Sequence, residues 1–215
     1  MPVRRTRKGK TRGYRRGKKA QVGLIKKVIN SQHEKHVHTV SVNGTFSSTG
    51  TVQDLSAIAV GDAVNNREGD RITLKSIIFR FGLIAADTTN FVRVMLVQWL
   101  QNDAATAPTI AGIYNSTFTA QPYATFAPFN KSAAGYQWVP LYDKTFALSL
   151  NGNACSKHIA KITPRHFKKK AKAMIQYNAG ATTGVGKIYV ILISDSGVAA
   201  DPTITGVMQI RFLSS

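Results

Sequence analysis

Acidic residues are scarce in this chain: Asp and Glu number 10 among 215 residues, against 29 Lys and Arg. So few carboxylates leave little material for paired general acids and bases or for a calcium site. Cysteine occurs once, at Cys155. That excludes an internal disulfide and a cysteine-rich zinc site, and it suits a reducing compartment. No run of about 18 or more apolar residues is present, so no segment reads as a membrane-spanning helix. The N-terminus is charged from Arg4 onward with no apolar stretch behind it, unlike a secretory signal. The three sequons, at Asn43, Asn115 and Asn130, are accordingly read as chance.

What is abundant is positive charge, and it is unevenly placed. Residues 1–27 hold twelve basic residues and no acid, residues 157–172 hold seven and no acid, and the remainder is neutral. A neutral body with two basic segments calls for a polyanion, and nucleic acid is the leading partner. An anionic membrane surface ranks second, because the N-terminal segment lacks the apolar face of an interfacial helix.

The N-terminal run carries Arg4, Arg5, Arg7, Lys8, Lys10, Arg12, Arg15, Arg16, Lys18, Lys19, Lys26 and Lys27, interrupted by Gly9, Gly13 and Gly17. Charge repulsion and glycine predict an arm that is disordered when free. Arginine suits phosphate neutralisation, because its planar guanidinium binds two oxygens at once and stays charged. Arg4–Lys8 and Arg15–Lys19 would also serve as nuclear-import signals. The second segment contains Lys157, Lys161, Arg165, Lys168, Lys169, Lys170 and Lys172. It reads as a patch that tracks a phosphate backbone. Phe167, inside it, is expected to anchor in the core.

The rest of the chain reads as strands. Alternating or β-rich stretches occur at 36–42, 71–83, 91–100, 136–150, 157–163, 173–177, 187–193 and 203–213. The 187–193 stretch is nearly all apolar, as in a strand buried on both faces. In the last one, Ile204, Met208, Ile210 and Phe212 share one face. Residues 54–60 suggest a short helical turn and 110–114 a short helix within the long 101–135 connection. Eight strands with almost no helix predict an all-β fold, a single eight-stranded antiparallel jelly roll of two packed sheets. The immunoglobulin-like rival lacks its Cys–Trp–Cys pattern.

Other candidate sites are weaker. His36 and His38 share a strand face, but no further ligand joins them. Cys155 and His158 form C-x-x-H without a second pair. The stretch Gly180 to Lys187 looks like a phosphate loop, yet Ile188 follows the lysine where Ser or Thr is needed, and a strand follows where a helix must. Asp62, Glu68 and Asp70 sit beside Arg67 and Arg71, which favours turn formation and ion pairing over calcium. No metal, cofactor or catalytic residue is expected.

The arm, the Gly61–Phe81 stretch (GDAVNNREGDRITLKSIIFRF) and Val92–Gln98 (VRVMLVQ) resemble capsid proteins of circular Rep-encoding, circovirus-like single-stranded DNA viruses. The Tyr136–Leu148 stretch and the closing strands fit the same pattern, and the fold is similar to that of satellite tobacco necrosis virus-like single jelly-roll coats. The resemblance implies a basic arm at 1–27 facing the particle interior and a jelly-roll domain at 28–215. It further implies sixty copies in the smallest icosahedral shell, location in the virion, and assembly in the host nucleus. The partners it implies are the genome, other copies of the chain, a host receptor and nuclear import factors, with no membrane. A single-stranded RNA or satellite coat, or a cellular nucleic-acid-binding β-protein with a basic tail, are the alternative readings.

Overall fold

β-Branched and aromatic residues at alternating positions build ten strands in the computed structural model, which describes residues 21, 35–115, 124–130, 138–150, 155–163, 166–167, 173–197 and 200–214. They are β1 (Lys35–Thr45), β2 (Thr51–Asp54), β3 (Arg71–Ile84), β4 (Thr89–Trp99), β5 (Trp138–Ser149), β6 (Cys155–Ile162), β7 (Met174–Tyr177), β8 (Gly184–Val185), β9 (Lys187–Ser194) and β10 (Thr203–Ser214). Eight match the strands read from the sequence. The other two, β2 and β8, are four and two residues long, too short for periodicity to register.

All pairings between named strands are antiparallel. One sheet runs β1-β10-β3-β7-β8, with β6 also on β3; the other runs β2-β9-β4-β5. Strand β6 pairs with Ile77–Ile84 and β7 with Arg71–Thr73, so the two share one long edge of β3. The orders β1-β10-β3-β6 and β2-β9-β4-β5 are the paired Greek keys of a jelly roll. The expected fold class is therefore observed.

The main core lies between the sheets. Phe79, Phe81, Leu83, Ile210 and Phe212 of one sheet and Val92, Val94, Leu96, Val190 and Leu192 of the other belong to one buried cluster. Strand β9 is buried at all eight positions, as its apolar run predicts. Its second face needs another cover, and the connection after β4 supplies it. Ile113, Tyr114 and Ala127 pack there against Met95, Val97 and Trp99 of β4 and Tyr189, Ile191 and Ile193 of β9. This explains a connection that is long for a compact domain. Helix α1 (Ile110–Ile113) sits within it, capped by Thr109, whose hydroxyl accepts from the Gly112 amide at 3.1 Å.

The helical turn expected at 54–60 does not form. The Leu55 amide donates to the Ile188 carbonyl at 2.9 Å, and the Ser56 hydroxyl accepts from the Ile188 amide at 2.8 Å. Ser56 is itself held by a bond from its amide to Asp54 Oδ1 at 2.9 Å. Cross-strand bonds to β9, together with burial of Leu55 and Ile58, hold the segment extended.

Candidate nucleic-acid interface

The two sheets differ sharply in charge. Lys35, Arg71, Lys75, Arg80, Lys157, Lys161 and Arg211 all lie on strands of the six-stranded sheet, and those strands contain no Asp or Glu. The four-stranded sheet instead mixes Asp54 and Asp143 with Arg93, Lys144 and Lys187. Positions that alternate with the core place Arg80, Lys157, Lys161 and Arg211 on the outer face of the six-stranded sheet, each exposed.

Register sets their order. Lys157 pairs with Gly82, Ile159 with Arg80, and Lys161 with Ile78. On the other side of β3, Val207 pairs with Arg80 and Arg211 with Ser76. Ile84, Ile159 and Val207 are exposed apolar neighbours. With Gly82 contributing no side chain, they flank a shallow trough of about 660 Å³. Of these basic residues, only Lys157 and Lys161 stood out in the sequence. Arg80 and Arg211 lie in strands far apart along the chain, and only pairing register brings them together.

The predicted binding residues of the arm, Arg4 to Lys27, lie outside the described residues, as do Arg165, Lys168, Lys169, Lys170 and Lys172. Within the second segment His166 is exposed, while Phe167 is 2% exposed and belongs to the core, as expected.

The histidines read as structural. His36 is buried and stacked on Phe212 with ring centroids 5.2 Å apart. Burial pushes His38 below the ordinary histidine range, against a hydrogen bond with the Asn65 backbone and the charge of Asp54. His158 packs on Phe146 at 4.1 Å and shares a hydrogen bond with the Ser156 hydroxyl at 2.8 Å. Burial and then the positive charge of Lys144 lower its pKa. Among the described residues, no group of three His, Cys, Asp or Glu side chains could hold a metal ion.

The remaining charges inside the body serve packing. Arg67, wholly buried, donates to the Ile58 carbonyl at 3.1 Å and to Asp70 at 2.8 Å, with its guanidinium 4.2 Å from the Tyr177 ring centre. This is the ion pairing expected around Asp70, whose carboxyl the Arg67 hydrogen bond holds below the usual range. Arg93 grips Asp143 with two bonds of 2.8 Å and donates to the Ala127 carbonyl at 2.7 Å. Lys187, the lysine of the apparent phosphate loop, is 1% exposed and pairs with Asp54 and, at 3.0 Å, with Asp103. Burial pushes the Asp103 carboxyl up, but hydrogen bonds from the Tyr189 hydroxyl, the Gly184 amide and Lys187 leave it below its ordinary value. With its ammonium held there, Lys187 anchors β9.

Several solved structures similar to this chain come from viruses. The empty head of turnip yellow mosaic virus is 12% identical, with 85% of this chain and 82% of that one covered and a TM-score of 0.39. The subviral particle of infectious bursal disease virus is 9% identical over 83% of this chain and 33% of that one, with a TM-score of 0.30. A search of curated proteins finds no match. Residues 5–214, nearly the whole chain and all ten strands, match the family of the satellite tobacco necrosis virus coat protein. Fold and family together define a viral capsid protein, structural rather than enzymatic in role. The chain belongs to the satellite tobacco necrosis virus coat protein family.

Proposed function

We propose that this coat protein forms a small icosahedral shell of sixty copies around a single-stranded genome, which it neutralises with the arm at 1–27 and the basic segment at 157–172. The observation that carries the reading is charge. The jelly-roll body outside those segments is neutral, so the nineteen basic residues within them carry charge that no acid in the sequence offsets. Arg4 to Lys27 and Arg165 to Lys172 are the proposed contacts. A segment interrupted by glycines offers no fixed helix face to a groove, so its binding is independent of base sequence.

The family match favours a genome of the satellite, RNA type. The single-stranded DNA reading, with nuclear import and nuclear assembly, rests on the sequence resemblance alone. Particles purified after nuclease treatment decide between them. Protected nucleic acid that RNase destroys after extraction and DNase spares supports the satellite reading; the reverse supports the DNA reading. Particles that protect neither would overturn genome packaging by this chain.

A further inference from the structure

Four consecutive outward rows of β3 each carry one cation. Lys157 lies in the row of Gly82, Arg80 in its own row, Lys161 in the row of Ile78 and Arg211 in the row of Ser76. Successive outward positions on a strand are about 6.6–6.8 Å apart. Because the four cations lie on β6, β3, β6 and β10, the ladder also steps sideways between strands about 4.7–4.9 Å apart. The strands beneath this ladder contain no acid to compete for it. The four ion pairs between described residues use Arg67, Arg93 and Lys187, none of them on this face.

We infer that the outer face of the six-stranded sheet is a second binding surface for the packaged single strand. Arg80, Lys157, Lys161 and Arg211 take phosphates of the strand, and the trough beside Gly82 takes its sugars. The inference rests on the packaging reading above and adds the folded body to it. Charge complementarity identifies the occupant: four exposed cations, and no acid on the strands that carry them. Among the described residues this face exposes apolar side chains but no aromatic for base stacking, so it too reads phosphates rather than sequence.

The test is a salt series with full-length protein and a homopolymeric single-stranded oligonucleotide. A variant combining Arg80→Gln, Lys157→Gln, Lys161→Gln and Arg211→Gln is compared with wild type. A second, replacing the four by the opposite basic residue (Arg by Lys, Lys by Arg), controls for folding. A third replaces the twelve arm cations by Gln. Losing four phosphate contacts should make the log–log salt slope shallower by about 3, while the charge-preserving variant keeps the wild-type slope. A wild-type slope in the four-Gln variant, with a reduced slope in the arm variant, would overturn the sheet surface and leave arm packaging standing. Wild-type slopes in both would overturn packaging by either. Loss of heparin binding by intact four-Gln particles, with the oligonucleotide slope unchanged, would also overturn the inference and assign the face to an external sulfated polysaccharide.

Discussion

His38 and His158 show how single residues couple this fold to pH. Burial depresses both imidazoles below the 6.5 of a free histidine, and Lys144 adds to the effect at His158. In the unfolded chain both protonate at the ordinary value. Between the folded and unfolded values the unfolded state therefore binds more protons, and stability rises with pH. The stabilisation from keeping these rings neutral is complete above about pH 6.5 and is lost as pH falls through the depressed values. The melting temperature of the protein should accordingly drop between pH 7 and pH 5, and a His38→Gln/His158→Gln variant should show a flatter profile. An unchanged slope in that variant would assign the acid sensitivity to other groups.

Elements are joined by charges that sequence reading missed. Lys187 at the start of β9 reaches Asp54 at the end of β2 and Asp103 in the connection after β4. Each partner lies far away along the chain, so the buried strand could be read from the sequence but the carboxylates that Lys187 meets could not. Removing the ammonium would leave two carboxylates facing each other, one of them almost wholly buried. Lys187→Met should cost about 3 kcal/mol of stability, read from the denaturation midpoint, with the fold retained. A loss under about 0.5 kcal/mol would mean that water screens the cluster. Element type was legible where the pattern ran long: β3 and β10 stand out by alternation over a one-sided core, and β9 by an unbroken apolar run buried on both faces. The expected turn at 54–60 failed because its hydrogen bonds go to β9, a long-range choice that local propensity does not encode. The same limit hid the cation ladder. Lys157 and Lys161 were visible as a cluster, but Arg80 and Arg211 join them only through sheet register.

For the whole molecule, two readings come together. The jelly roll supplies a rigid body, and its family membership makes that body a shell subunit. The neutral remainder of the sequence means that copies do not repel one another strongly once the basic segments are matched by phosphate. Assembly and genome binding should therefore be linked. The most direct measurement is negative-stain microscopy with sedimentation of the full-length protein, with and without single-stranded nucleic acid. The account predicts uniform small spheres, their yield rising when nucleic acid is present. Protein that stays monomeric at high concentration with nucleic acid present would contradict it.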